Sequence, residues 1–483
     1  MSSQNVTQVL GIVVLARGGD RQTLYLAPDD YASSLSYITP LGEQQEFQLG
    51  GSLRSVYLNV TSPSFVQGIF GATALFNQSS VIVQADEAGE DGTLFDGAQA
   101  LMQGLWPPSQ QEAIFLANGS TITSPLGGYQ YIPIDSVNPD EDVSLEGAPS
   151  CTAWSMRNEA FYNSAGFLEK ANQSASFLSA LQPYLDGRPV NLENMVYDYM
   201  NVQFIHNATY ASQLPPAYMV QARDLANWHE YNVFADTAAS GIGNIAGRVM
   251  LPSILNTLQR ISNPLDGLKM QFSAISYQPF LSLMNMTGMF ESGQVPPAIV
   301  EYAAALVLEV RQPFGGGEPV VRANFKNGTD DEFHIVDMIF DNWNGSGGQD
   351  VPLSNFVAAF QEAGVNSTVA WCNVCQQAVQ RGCQQALAPI VPTTPEGAAS
   401  STLTSSSHMF SPVGAGFLGA GLATILLSAL LGLLLFAGVL SYGGIWRLRR
   451  LSYISRRSRD WRGDEMELHS EVNSVVGLKM PHS

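Results

Sequence analysis

The feature that most constrains this chain is a long stretch without a single charged side chain. Residues 413–446 contain no Asp, Glu, Lys, Arg or His, and the inner part, residues 417–440, reads FLGAGLATILLSALLGLLLFAGVL. As a helix this inner part is about 36 Å long, against about 30 Å for the hydrocarbon core of a bilayer. A core helix of this length would carry a polar face, which is missing here. The sequence therefore predicts one transmembrane helix within residues 413–446.

Arginines after this stretch predict its direction. Residues 447–462 contain seven Arg and one Asp, and positively charged flanks stay on the cytoplasmic side of a membrane. We therefore expect residues 447–483 to form a basic cytoplasmic tail that lies against anionic lipid. Residues 1–412 are then expected outside the cell or in a lumen. The membrane that holds the helix is expected to be the plasma membrane or a membrane of the secretory pathway.

The overall charge limits the classes of partner. The chain has 22 Lys and Arg against 42 Asp and Glu, a formal net charge of −20. Because phosphate contacts need basic side chains, we do not expect nucleic acid as a partner. Hydrophobic residues make up 45% of the chain, enough to fill a large core and to exclude a wholly disordered protein.

Acceptor sequences for N-glycosylation support passage through the secretory pathway. Asn-X-Ser/Thr occurs at Asn5, Asn59, Asn77, Asn118, Asn172, Asn207, Asn285, Asn327, Asn344 and Asn366.

Residues 386–412 are predicted to be a stalk, because their Ser, Thr and Pro residues cannot pack a core. The first 20 residues lack a basic segment before their short apolar run, so we expect a signal segment upstream, with a reverse anchor as the alternative.

Hydrophobic patterning in residues 1–385 indicates an α/β fold. Short β-branched runs and helical patterns alternate in the first hundred residues, and Thr39 followed by Pro40 marks a helix start. The predicted strands are residues 11–17, 81–83, 270–276, 303–310, 319–324 and 333–340, with a helix over 96–105. Residues 151–268 show helical periodicity and few strand patterns, which predicts a helical insertion at one end of the sheet.

The four cysteines are Cys151, Cys372, Cys375 and Cys383. Cys372-X2-Cys375 lacks the second pair and the histidine of a zinc site, so disulfides are the better interpretation in a translocated domain. We expect Cys375–Cys383 as the local bridge, which leaves Cys151–Cys372. The sequence alone allows three pairings.

Several segments, in order, resemble the histidine acid phosphatases, a branch of the histidine phosphatase superfamily with a phosphoglycerate-mutase-like fold. The segment VVLARGGDR at residues 13–21 is similar to their strand-and-loop motif Arg-His-Gly-X-Arg. Further similar segments are TPLGEQQEFQL at 39–49, QALMQGLWPP at 99–108, CTAW at 151–154, PVVRANFKNG at 319–328 and WCNVC at 371–375. The resemblance spans roughly residues 10–385. It implies a three-layer α/β/α core with a helical cap.

The resemblance also implies a chemistry and the positions that carry it. In that family a histidine of the first motif becomes phosphohistidine, flanking arginines hold the phosphoryl oxygens, and a later His-Asp pair protonates the leaving alcohol. Arg17 and Arg21 stand at the phosphate-binding positions. Gly18 stands where the family has its nucleophilic histidine, and Ile275 and Ser276 replace the His-Asp pair. The family also has an arginine ahead of the segment at 99–108, whereas residues 84–96 here contain five carboxylates and no base. Three elements of the catalytic machinery, the nucleophile, the His-Asp pair and this arginine, are therefore missing.

No other residue pattern predicts an alternative site. We interpret His229-Glu230 as an ordinary helix-surface pair, His206 as exposed beside its sequon, and His334 as a strand residue facing solvent. The acidic loop at residues 86–92 lacks the spacing of a calcium loop. We expect no metal and no cofactor.

Three functions remain open at this point. The first is a non-catalytic, membrane-anchored pseudophosphatase that still binds an anion, such as a phosphate-containing small molecule. The second is a surface acid phosphatase that hydrolyses phosphomonoesters with unorthodox residues. The third is an adhesion or receptor ectodomain without a small-molecule site.

Overall fold

A computed structural model describes residues 7–22, 36–70, 75–88, 92–193, 196–341, 343 and 349–388. The predicted transmembrane stretch, the basic tail and all but the first three residues of the predicted stalk lie outside this part. Asn5 and Asn344 lie outside it as well. Among the described residues, no helix has both the length and the apolar character needed to cross a bilayer.

The described part contains strands, α-helices and a few shorter helical turns. The strands are β1 (Thr7–Arg17), β2 (Val81–Asp86), β3 (Ala113–Phe115), β4 (Thr121–Thr123), β5 (Asp135–Val137), β6 (Met270–Ile275), β7 (Ala305–Pro313), β8 (Val320–Lys326), β9 (His334–Val336) and β10 (Val351–Pro352). The α-helices are α1 (Pro40–Leu53), α2 (Thr93–Leu105), α3 (Pro125–Gly128), α4 (Thr152–Tyr162), α5 (Ala165–Leu181), α6 (Tyr197–His206), α7 (Ala208–Gln213), α8 (Pro216–Phe234), α9 (Ile245–Arg248), α10 (Leu251–Ser262), α11 (Gln278–Met286), α12 (Leu353–Phe360), α13 (Thr368–Cys375) and α14 (Cys383–Ala386). A π-helical turn at Arg54–Leu58 continues α1, and 3₁₀ turns occur at Gln182–Tyr184 and Ile242–Asn244.

One mixed sheet organises the fold. Its strand order is β10-β8-β7-β1-β6-β2-β5, with β9 paired beside β8. β1, β6, β2 and β5 run parallel, whereas β7, β8, β9 and β10 join through antiparallel pairs. The predicted α/β class is confirmed, and each predicted strand is present, although the one expected over residues 333–340 is limited to β9. The C-terminal end of β1 thus lies between the end of β6 and the start of β7.

Alternate side chains of β1 pack into two separate cores. Ile12 and Val14 pack with residues of α1 and α2 on one face of the sheet. Val13 and Leu15 pack with residues of α10, α11 and α12 on the other face. All four side chains are fully buried. Because strand side chains alternate between faces, a buried apolar run such as this one requires a helix layer on each side.

Local chemistry explains how α1 begins and how it meets α2. Thr39 accepts a hydrogen bond from Gly42 N, and Pro40 occupies the first turn, as predicted. Gly50 of α1 and Gly104 of α2 allow the two helices to touch through their backbones. A Cβ on either glycine would lie 2.1 Å from a carbonyl oxygen of the other helix. The close crossing therefore depends on both glycines.

Between β5 and β6 the described residues form helices and no strand, in agreement with the helical character predicted for 151–268. Residues of α5, α6 and α8 share a small apolar core of their own. α10 is different, because its apolar side packs on β1 and belongs to the helix layer of the sheet. α6 and α8 approach the C-terminal end of β1, where the site described below is formed.

Two disulfides are present, but the pairing predicted from the sequence is wrong. Cys151 pairs with Cys375, and Cys372 pairs with Cys383, with Cα–Cα distances of 4.6 and 5.7 Å. Cys372 and Cys375 are nearly one turn apart at the end of α13. Residues at this spacing lie on one side of a helix, yet each bonds a different neighbour: Cys375 bonds Cys151 at the start of α4, and Cys372 bonds Cys383 in α14. The spacing in the sequence does not reveal which of the two faces α4.

Candidate functional site

The loop that follows β1 is fixed against the first turn of α1. Gly19 and Gly42 touch through their backbones, since a Cβ on Gly19 would lie 2.5 Å from the carbonyl oxygen of Gly42. The backbone N–H of Asp20 donates to Gln45 Oε1 at 2.8 Å. Two anchors therefore hold residues 17–21, the predicted motif loop, at the edge of the sheet where the parallel strands end. Open α/β sheets place their ligands at this edge.

Arg17 ends β1 and is almost completely buried, with 7% of its surface exposed. Its guanidinium lies 4.4 Å from the ring centroid of Tyr302 and 5.3 Å from that of Tyr277. It also donates to the carbonyl oxygen of Val300. Two aromatic rings and a backbone carbonyl thus stabilise this cation inside the protein.

Arg21 has no exposed surface, and its charge is neutralised by the protein itself. Its Nη1 donates to Asp198 Oδ1 at 3.0 Å and to the hydroxyl of Tyr302 at 2.9 Å. Asp198 belongs to α6, so this ion pair joins the motif loop to the helical segment. The structure brings Arg17 and Arg21 together at one place, and Tyr302 contacts both.

Gly18, Ile275 and Ser276, which stand at the catalytic positions of the family, also meet at this edge. Gly18 is buried directly after β1, and its carbonyl oxygen accepts a hydrogen bond from Ala303 N at 3.3 Å. Ile275 ends β6, pairs with Arg17 across the parallel ladder and is fully buried. Ser276 follows and is half-buried. The positions that the resemblance assigns to catalysis are therefore adjacent, but they hold hydrogen, an alkyl group and a hydroxyl.

A cavity of about 60 Å³ opens beside Arg17, between the sheet edge and helices α6 and α8. Its charged lining residues are Arg17, Arg223, Glu193, Asp198, Glu230 and Glu301, with His229 beside them. Four carboxylates therefore face two guanidiniums and one imidazole. Small-molecule sites usually enclose about 300–1,000 Å³, so this cavity is small for an organic ligand.

His229 and Glu230 are buried and line this cavity, so their interpretation as a helix-surface pair was wrong. His229 Nδ1 donates to Glu230 Oε1 at 2.8 Å, and His229 Nε2 lies 3.1 Å from the hydroxyl of Tyr162. The pair faces inward because α8 packs on one side against the helical segment and on the other against α11. One HE dipeptide in a helical pattern cannot indicate which face of the helix is covered.

Tyr277 connects this pair to Arg17. Its hydroxyl donates to Glu230 Oε2 at 2.8 Å, and its ring lies beside the Arg17 guanidinium. Burial raises the pKa of Tyr277 well above its usual value, and the charge of Glu230 adds to the shift. Tyr277 therefore stays protonated and acts as a hydrogen-bond donor at neutral and acid pH.

A second contact between α6 and the motif loop was not predicted. Asp20 is fully buried, and its Oδ2 accepts hydrogen bonds from Thr39 Oγ1 and from His206 Nε2, the latter at 2.8 Å. His206 is exposed, as expected, yet it pairs with this carboxylate. His334 is exposed in β9, also as expected.

Three of the basic side chains at this site, two of them guanidiniums and one an imidazole, are already paired with carboxylates of the protein. Arg21 pairs with Asp198, His229 with Glu230, and Arg223 with Glu301 at 2.6 Å. Because an incoming anion must compete with these carboxylates, the arrangement opposes phosphate binding rather than favouring it. The same contacts join helices α6 and α8 to the edge of the sheet.

No protein-family model matches the sequence, and no curated protein matches it. Among solved structures, the phytase from Citrobacter braakii superposes with a TM-score of 0.50 at 13% identity, covering 76% of this chain and 99% of that one. The Hafnia alvei phytase in complex with myo-inositol hexakis sulphate gives 0.50 at 15% identity, covering 74% and 98%. The Klebsiella sp ASR1 phytase gives 0.50 at 14%, covering 76% and 98%. These phytases are histidine acid phosphatases, so the predicted resemblance is confirmed at the level of the fold.

Proposed function

We propose that this chain is a membrane-anchored pseudophosphatase, whose outer region keeps the fold of a histidine acid phosphatase without its catalysis. The observation that carries the proposal is Gly18, which follows the central strand at the position of the family's nucleophile. A residue without a side chain cannot attack phosphorus, so the covalent route is closed at its first step.

The second half of the reaction lacks its groups as well. A leaving alkoxide needs a proton donor within hydrogen-bond reach. Ile275 has no proton to give, and the hydroxyl of Ser276 is a poor acid at any physiological pH. Restoring the nucleophile alone therefore leaves the site without its acid.

Binding of an anion by Arg17 and Arg21 remains part of the proposal, and we expect it to be weak. An anion that reaches Arg21 must displace Asp198, which holds Nη1 at 3.0 Å. Melting of the purified protein with millimolar phosphate or inositol phosphates measures this binding. We expect little shift for the wild type and a larger shift for Asp198→Asn, because that change removes a carboxylate that competes with the anion.

The direct test is an assay of the purified full-length protein on a generic phosphomonoester at acid pH. We expect no turnover above the uncatalysed background, and no gain from Gly18→His, since Ile275 and Ser276 are unchanged. Turnover by the wild type that disappears in Arg17→Ala contradicts the proposal. The Arg322→Ala variant is the control for contaminating phosphatase, because Arg322 pairs with Asp350 away from the cavity.

One observation favours a second candidate, an active acid phosphatase. His229 lines the same cavity as Arg17 and is oriented by Glu230, as a nucleophile or general base would be. If this candidate is correct, turnover is present in the wild type and is lost in His229→Gln. The pseudophosphatase proposal predicts that wild type and His229→Gln are equally inactive.

A further inference from the structure

Strands β3 and β4 form a hairpin that stands apart from the central sheet. Ile114 pairs with Ile122, and Phe115 pairs with Thr121. The side chains of Ile114, Phe115 and Ile122 are 63%, 76% and 52% exposed. A two-stranded hairpin with three residues per strand is marginally stable by itself. Phe115 lies on the opposite face of the hairpin from Ile114 and Ile122.

The turn of this hairpin contains an acceptor sequence for N-glycosylation. Leu116 N donates to Ser120 O at 2.8 Å and closes a short loop in which Gly119 adopts φ +85°. Asn118 Oδ1 accepts hydrogen bonds from Ser120 N at 3.0 Å and from Ser120 Oγ at 2.7 Å. The side-chain oxygen and the hydroxyl of the sequon are thus already in contact, as in an Asx turn.

The amide nitrogen of Asn118 is available, in contrast with those of Asn77, Asn207 and Asn285, which donate hydrogen bonds. Asn118 is exposed, and its Nδ2 has no hydrogen-bond partner among the described residues. Asn285 Nδ2, by comparison, donates to the carbonyl oxygen of Asp236 at 2.8 Å and to Asn244 Oδ1 at 3.2 Å. A glycan on Asn285 would break contacts that hold α11 in place, so a chain modified there cannot reach the same fold.

We propose that Asn118 carries an N-linked glycan whose first sugar packs on the ring of Phe115. The inference rests on the proposed passage through the secretory pathway. In the transfer, Asn118 Nδ2 forms a bond to C1 of a lipid-diphosphate-linked oligosaccharide. The C1–O bond to the diphosphate breaks, the lipid diphosphate leaves with the electron pair, and one amide proton is released.

The position of Phe115 determines what the glycan covers. It lies three residues before Asn118, directly outside the closed loop, and shares a face of the hairpin with Thr121 and Ala113. A pyranose ring has an apolar C–H face, and packing this face on an aromatic ring removes apolar surface of both from water. The glycan therefore stabilises a hairpin that has few other contacts with the protein.

The first experiment measures site occupancy in the full-length chain produced in a eukaryotic secretory host. We expect intact glycopeptides to show high occupancy at Asn118 and an unmodified Asn285 in the folded protein. An unmodified Asn118 in a chain that is modified at Asn59 or Asn366 overturns the inference. Absence of glycan at every sequon overturns it together with the proposed secretory routing, but leaves the proposed loss of catalysis untouched.

The second experiment measures amide hydrogen exchange of residues 113–123. We expect exchange to be several-fold faster in Ser120→Ala, which removes the glycan and keeps Asn118. In the Phe115→Ser background, removal of the glycan should change exchange little, because the sugar has lost its aromatic partner. Thr61→Ala, which removes the Asn59 sequon, is the control and should leave the hairpin unchanged. Equal effects of Ser120→Ala in both backgrounds overturn the proposed contact with Phe115.

Discussion

At the scale of single residues, Arg21 has a structural role that can be measured. It is completely buried, and Asp198 of α6 forms an ion pair with it. We expect Asp198→Asn to lower the free energy of unfolding by about 3 kcal/mol, near the lower end for buried ion pairs, because Asp198 itself is partly exposed. Urea unfolding measures the change.

The control for this prediction is Asp186→Asn. Asp186 lies 3.8 Å from Arg188, but its side chain is 84% exposed. We expect a change within about 0.5 kcal/mol, as for other surface ion pairs. Equal effects of the two substitutions would show that Arg21 does not depend on Asp198.

A second residue predicts how stability depends on pH. Glu46 of α1 is 2% exposed, and no described residue gives its Oε1 a hydrogen bond. Burial raises the pKa of Glu46 well above its usual value. The folded state therefore holds the proton of Glu46 more tightly than the unfolded state does. The stability that this difference contributes is fully present below the pKa of Glu46 in the unfolded chain, and it is lost as pH rises through the pKa of Glu46 in the folded protein.

Glu46→Gln removes this dependence while keeping the size of the side chain. We expect the variant to be no more stable than wild type at pH 4 and clearly more stable at pH 7, in urea unfolding at both values. Glu43→Gln is the control, because Glu43 is exposed on the same helix. A constant difference between Glu46→Gln and wild type over this range would contradict the prediction.

At the scale of elements, the two disulfides differ in what they close. Cys151–Cys375 spans 224 residues, whereas Cys372–Cys383 spans 11. In the chain-entropy model the first contributes about 5 kcal/mol and the second about 3 kcal/mol. We therefore expect Cys151→Ala with Cys375→Ala to destabilise the protein more than Cys372→Ala with Cys383→Ala. Disulfide-linked peptides from a non-reducing digest check the pairing itself, and a Cys375–Cys383 peptide would show that the pairing described here is wrong.

Elements with a local cause could be predicted from the sequence, and contacts between distant elements could not. Thr39 and Pro40 start α1 by themselves, and the apolar run of β1 requires a covered sheet. Arg17 and Arg21 were located because a short motif contains both. In contrast, the pairing of Arg21 with Asp198 joins residues 177 positions apart. The burial of His229 depends on which side of α8 is covered, and no residue near it in the sequence indicates this.

At the scale of the whole molecule, the proposed membrane anchor depends on the uncharged stretch at residues 413–446. We expect the full-length chain to stay with membranes in alkaline carbonate, and a chain ending at residue 388 to be released into the supernatant. Deletion of residues 463–483 is the control, because it keeps both the apolar stretch and the seven arginines that follow it. Release of the full-length chain by carbonate would contradict the anchor.

The central claim, that the chain has the fold of a phosphatase without its chemistry, is tested most directly by trapping a covalent intermediate. The full-length protein is mixed with an excess of a phosphomonoester at acid pH, quenched under conditions that preserve phosphoramidates, and analysed as an intact protein and as peptides by mass spectrometry. We predict no phosphorylated histidine at any time point. A phosphate that appears on His229 during turnover, and is absent in His229→Gln, would contradict the account.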